Sequence, residues 1–153
     1  MKKAAFTGSF DPFTRGHADI VRRALTLFDR VVVGVGYNEH KQYRQTADER
    51  VETIRRLYAG DERVEVLAYN DLTIDFCRRI GARFIVKGVR SMSDFEYERE
   101  MGEVNRRMGG VETVCLFADP LLAHISSSLA RELEHFGRDI TPLLPTLEDI
   151  KKE

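Results

Sequence analysis

The chain has 153 residues, 42% hydrophobic and 32% charged, which fits one soluble globular domain with a real core. Its formal net charge of −1 lacks the basic excess of a nucleic-acid binder. Two cysteines, Cys77 and Cys115, are too few for a disulfide framework, and no apolar run nears a membrane span or a signal-peptide core, so a cytoplasmic protein with free core thiols and no membrane or nucleic-acid partner is expected.

Residues 4–7 read as a short buried strand stopped by Gly8. A helix with an apolar face of Ile20, Val21, Ala24, Leu27 and Phe28 follows. Residues 31–36 make a second strand. Thr46 with Glu49 three residues on is a capping box for a helix carrying Val51, Ile54, Leu57 and Tyr58. Residues 64–67 form a third strand, and Asp71 is a candidate cap for a short helix bearing Ile74, Phe76, Cys77 and Ile80. Residues 84–86 form a fourth strand. Ser93 and Glu96 repeat the capping signature before a helix whose apolar face is Tyr97, Met101, Val104 and Met108. Residues 113–117 are a fifth strand, and a last helix begins near Ser126; the tail from residue 146 to 153 carries no functional signal.

This alternation predicts an α/β fold: one domain over residues 1–153, with a five-stranded parallel sheet covered by helices on both faces. Ligands of such sheets bind beyond the carboxyl ends of the strands, near the point where strand order reverses. After the first strand comes Gly8-Ser9-Phe10-Asp11-Pro12-Phe13-Thr14-Arg15-Gly16-His17, a turn that ends at a helix start, where free N–H groups favour anions. Neither a Walker loop nor a dinucleotide fingerprint is present: Gly34-Val35-Gly36 has Glu39 where the third glycine would stand, so its glycines read as close packing. Lys41 follows the second strand, Lys87-Gly88-Val89-Arg90 the fourth, and Ile125-Ser126-Ser127-Ser128 opens the last helix as an anion nest. Phosphate-friendly residues thus follow four of the five predicted strands, on one edge of one sheet.

Gly8-Ser9-Phe10-Asp11-Pro12 with Thr14, Gly16 and His17 resembles the first signature of the nucleotidylyltransferase superfamily, and residues 125–128 its second. Lys87-Gly88-Val89-Arg90 followed by Asp94-Phe95-Glu96-Tyr97-Glu98 is similar to bacterial phosphopantetheine adenylyltransferases, in order over nearly the whole chain. The resemblance implies a Rossmann-like fold and transfer of AMP from ATP to 4′-phosphopantetheine, giving dephospho-CoA and pyrophosphate. It implies catalytic roles for His17, Ser9, Lys41 and Arg90. It places ATP against Ser9, Phe10, His17, Gly88, Val89, Arg90, Glu98, Leu122, Ala123, His124, Ile125, Ser126, Ser127 and Ser128. The acceptor would meet Ser9, Lys41, Thr73 and Lys87; at Lys87 many relatives carry arginine, and at residues 121–124 an aromatic is common. Mg²⁺ would arrive on the ATP phosphates, since no carboxylates are spaced for a permanent metal site, and the chain would be a homo-oligomer, commonly a hexamer. Two alternatives stay open at this level: a nicotinate-mononucleotide adenylyltransferase, and a non-catalytic nucleotide-binding module.

Overall fold

In the computed structural model, residues 1–151 are described; the final two residues of the predicted tail and domain, 152 and 153, lie outside them. The chain alternates β1 (Lys3–Gly8), α1 (Arg15–Ala24), β2 (Arg30–Gly36), α2 (Ala47–Leu57), β3 (Val64–Tyr69), α3 (Thr73–Ile80), β4 (Phe84–Val89), α4 (Met92–Gly109), β5 (Glu112–Phe117) and α5 (Ser127–His135), and ends in a 3₁₀ turn and α6 (Leu147–Lys151). The five strands form one sheet in the order β3-β2-β1-β4-β5, and all neighbours run parallel. This is the expected Rossmann-like arrangement. Strand order reverses between β1 and β4, so the crevice for a ligand opens above the carboxyl ends of those two strands.

The pleat divides the core. Ala4, Phe6, Val31, Val33, Val35 and Val86 face α1 and α2, while Ala5, Val32 and Ile85 face Phe76 and Cys77 of α3. Gly34 is required by this packing: a Cβ there would stand 2.6 Å from the Phe76 ring. Within the tail that is silent in sequence, Leu147–Lys151 fold back as α6; Ile150 packs on the first core cluster, and Asp149 pairs with Arg15 at 3.6 Å.

Several boundaries differ from the sequence reading. Strand β4 runs on through Lys87, Gly88 and Val89, which pair with Cys115, Leu116 and Phe117 of β5. Helix α1 stops at Ala24, leaving Leu27 half exposed in the turn that follows. The cap of α3 is Leu72, because Asp71 is turned outward to Arg79. The cap of α4 is Ser91, which accepts from Asp94 N–H at 3.2 Å. The apolar face of α4 is not core: Tyr97, Met101, Val104 and Met108 are all exposed, and no residue of that helix is buried. Cys77 is a buried core thiol as expected, whereas Cys115 is only half-buried; both are free.

Candidate active site

The turn after β1 is held by local chemistry that the sequence states almost residue by residue. Thr14 caps α1, and His17 closes a reciprocal capping box: the Thr14 N–H donates to His17 Nδ1 at 2.9 Å, and the Thr14 hydroxyl accepts from His17 N–H at 3.4 Å. Nδ1 is thereby an acceptor, which puts the ring proton on Nε2 and makes that atom the donor. The imidazole is packed among the rings of Phe6, Phe10 and Phe13, with centroids 5.0–6.1 Å away. This enclosure, then the nearby charges of Arg90 and Lys87, hold its pKa down to about 3. His17 is therefore a neutral N–H donor at a helix start rather than a cation.

Phe10 sits at φ 50, in the left-handed region that bulky residues avoid. That conformation turns its ring down into the core, close over Gly8: a Cβ there would lie a tight 3.2 Å from the Phe10 ring. The next residues are pinned from afar. The buried Asp11 carboxylate accepts from the backbone N–H groups of Arg44 at 2.6 Å and Gln45 at 3.2 Å. Arg131 donates to the Asp11 carbonyl at 2.8 Å, and the Ser127 hydroxyl to the Pro12 carbonyl at 2.8 Å.

Two cavities meet at Ser9, the one residue among those described that lines both. The first, about 350 Å³, lies at the β1/β4 reversal. It is lined by Ser9, Phe10, Thr14, Gly16 and His17 of the turn, by Lys87, Gly88 and Arg90, by Glu98, and by Leu122, Ile125, Ser126, Ser127 and Ser128. Lys87 donates to the Thr7 carbonyl at 3.1 Å; burial pulls its pKa down, with Glu98 acting against that shift. Asp94 receives the backbone N–H of Arg90 at 3.1 Å and lies 3.5 Å from its Nε. The serines do not all present free hydroxyls. Ser126 Oγ caps α5 by accepting from Leu129 N–H at 3.0 Å, Ser127 is tied to Pro12, and Ser128 Oγ accepts from Arg131 at 3.3 Å. What the serine run presents freely is the backbone N–H groups of the α5 start.

The second cavity, about 630 Å³, opens above β2 and β3. Lys41 lies on its exposed loop, with Nζ 5.6 Å from the centre of the Tyr43 ring, and Thr73 bonds the Tyr69 hydroxyl at 3.2 Å. A larger space of about 760 Å³ lies at the opposite end of the sheet, under α1, α2 and α6. Its arginines 22, 56 and 63 are each paired, with Asp19, Glu52 and Asp61. Chemistry rather than size therefore points to the two cavities at Ser9.

Of the residues singled out in sequence, Ser9, Phe10, His17, Gly88, Arg90, Glu98, Leu122, Ile125 and the three serines line the first cavity, and Ser9, Lys41 and Thr73 the second. Lys87, expected on the acceptor side, lines the first. Val89 is buried in the core; Ala123 and His124 line neither cavity. Sequence reasoning passed over Arg131, which lines the first cavity and stands one helical turn beyond Ser127 on α5, a spacing that could have found it. It also passed over Asn38, Tyr43 and Asn70 of the second cavity, for which no local pattern exists.

The chain matches the cytidylyltransferase-like family model over residues 5–133. It is 52% identical to a phosphopantetheine adenylyltransferase of Phocaeicola vulgatus over 145 residues, covering 95% of this chain and 96% of that one. The same identity, over 147 residues and the same shares, relates it to a phosphopantetheine adenylyltransferase of Porphyromonas gingivalis. Among solved structures it is similar in fold to a bifunctional NMN adenylyltransferase/ADP ribose pyrophosphatase of Francisella tularensis complexed with AMP and an Mn ion. That likeness has a TM-score of 0.69 at 15% identity, over 94% of this chain and 44% of that longer one.

Proposed function

The chain belongs to the cytidylyltransferase-like family, with phosphopantetheine adenylyltransferases as near full-length relatives, and from that premise we infer that it transfers the AMP part of ATP to 4′-phosphopantetheine. An acceptor phosphate oxygen attacks the α-phosphorus. The bond from that phosphorus to the α–β bridging oxygen breaks, and dephospho-CoA and pyrophosphate leave. The observation that carries this reading is the pair of cavities sharing Ser9, one rich in donors for a polyphosphate, the other with a lysine for a phosphorylated acceptor.

The attacking group is already an anion, so the reaction needs no general base; positioning and charge stabilisation suffice. Nε2–H of His17 is the neutral donor aimed at oxygens that gain charge as the bond breaks. Arg90, Lys87 and the N–H groups of the α5 start hold the nucleotide's phosphates. Ser9 stands between the substrates, and Lys41 with Thr73 receives the acceptor.

Among the described residues no group of three His, Cys, Asp or Glu side chains is placed to hold a metal ion. The donors of the first cavity suit a polyanion, so Mg²⁺ is proposed to enter on the ATP phosphates, where it would neutralise their charge. The unpartnered face of α4 supports a homo-oligomer, proposed as a hexamer, with the whole chain acting as one domain. No helix among the described residues is long and apolar enough to cross a membrane, and a cytoplasmic setting is proposed.

Pyrophosphate release with a panel of acceptors tests the function. Turnover is expected with 4′-phosphopantetheine. Equal or better turnover with nicotinate mononucleotide would replace the acceptor, and ATP binding without turnover on any acceptor would leave only a nucleotide-binding module.

A further inference from the structure

The largest fully buried side chain of the described residues is not apolar. It is Arg50 of α2, 1% exposed. Burial depresses its pKa, against the opposing pull of Asp11 and then Tyr43. A buried guanidinium is costly unless its donors are used, and an apolar side chain of similar volume would often serve stability as well or better. What an apolar residue could not do is tie carbonyls together. Nη1 of Arg50 donates to the Ser9 carbonyl at 2.6 Å and to the Gly36 carbonyl at 3.2 Å. Nε donates to Gln45 and Thr46 carbonyls at 3.1 and 3.3 Å. The plane is covered by the Tyr43 ring at 4.1 Å. Nη2 is enclosed with no protein acceptor.

The two carbonyls on Nη1 belong to the two halves of the site. Ser9 lines both cavities; Gly36 ends β2 and lines the acceptor cavity. One planar group therefore fixes how far the nucleotide turn stands from the acceptor floor. In-line transfer depends on that separation, since a misplacement of about 1 Å can cost about 10²-fold in rate. We propose that Arg50 is a positioning residue for adenylyl transfer, which sets the distance between the two substrates by holding the Ser9 and Gly36 carbonyls on one guanidinium. The role rests on the adenylyl-transfer reading above. Arg55, on the same helix, gives the contrast: its Nε and Nη2 donate to the Val66 carbonyl at 3.2 and 2.9 Å, away from both cavities.

The test compares Arg50→Lys with Arg55→Lys, since lysine keeps the charge but loses the planar fork. For each variant, binding of ATP alone and of 4′-phosphopantetheine alone is measured by calorimetry, with kcat per folded molecule and melting temperature. Arg50→Lys is expected to bind each substrate within about three-fold of the parent while kcat falls about 10- to 100-fold. Arg55→Lys is expected to melt lower with kcat within about two-fold. An Arg50→Lys protein that merely melts lower and keeps the parent kcat overturns the proposal. If Arg50→Lys does not fold, Arg50→Met, an apolar side chain of similar volume that donates to neither carbonyl, decides: a kcat loss of about ten-fold or more with each substrate still bound within about three-fold supports the proposal, and parent kcat overturns it. A parent that turns over no phosphorylated acceptor would instead overturn the reading beneath.

Discussion

The two cavities that share Ser9 are built differently. The one at the β1/β4 reversal is backed by strands and two helix starts, and its donors are fixed: His17 by its capping box and three phenyl rings, Lys87 by the Thr7 carbonyl. The one above β2 and β3 is wider, and its cation, Lys41, is carried on an exposed loop. A fixed donor in an enclosed site acts at low dielectric and needs no reorganisation as charge develops. An exposed lysine is screened by salt and acts as a tether. The division of labour we propose follows from this contrast: stabilisation of the transition state by the inner cavity, and capture of the acceptor by the outer one.

The largest effect should come from the inner cavity. His17→Ala is expected to lower kcat about 10²–10³-fold, with ATP affinity changed only a few-fold, because the lost donor works mainly in the transition state. A folded variant with near-parent turnover would erase the distinction between the cavities. The same residue leaves a mark on stability. With a folded pKa near 3 against about 6.5 when unfolded, the unfolded chain takes up the proton first as pH falls. His17 is thus neutral to stability above about pH 6.5 and subtracts from it increasingly down to about pH 3. In the ligand-free protein, His17→Ala should therefore lose less melting temperature than the parent between pH 7 and 4.5; parallel curves would refute the enclosed neutral imidazole.

An intermediate effect belongs to the outer cavity. Lys41→Ala should lower kcat/KM for the acceptor about tenfold, the lower end for a charge-assisted bond, and leave KM for ATP unchanged. The loss should shrink as salt is raised, since the parent's advantage is already screened. A rise in KM for ATP would move Lys41 out of the acceptor cavity.

The inner cavity was the more legible in sequence, for a physical reason. Its parts are local: residues 8–17 and 125–128 each set a turn and a helix start within a few residues, so spacing alone carries the geometry. Lys87 and Gly88 misled because glycine beside a cation reads as a loop, whereas here the β5 ladder keeps both in the strand. The α4 stripe misled in the opposite sense: periodicity identifies an apolar face but not what covers it. The ties that pin the site are beyond any local pattern. Asp11 reaches residues 44 and 45, and Arg50 reaches residue 9, across separations that only the fold closes. In sequence Arg50 reads as one more polar residue of an amphipathic helix.

The smallest effect should come from the thiols, which sit near the sheet both cavities share. Cys77 lies in the α3 side of the core beside Phe76, and burial raises its pKa to about 11 against the pull of Lys87. Cys115 pairs across the ladder with Lys87; its pKa is also raised, by burial first and then by Glu98. A thiol so held is a poor nucleophile at neutral pH, which leaves packing as its contribution. Truncating the buried Cys77 to alanine should cost roughly 1–2 kcal/mol, a fall of about 3–6 °C in melting temperature for a domain of this size. Cys115, only half-buried, should cost less than about 1 kcal/mol. Neither change should move kcat more than about two-fold. Cys115→Ala is the sharper probe, because its thiol neighbours the Lys87 and Glu98 charges of the inner cavity. If that variant kept its stability but lost turnover about tenfold or more, the inner cavity would extend through β5, and its donors would be less self-contained than their local bonding indicates.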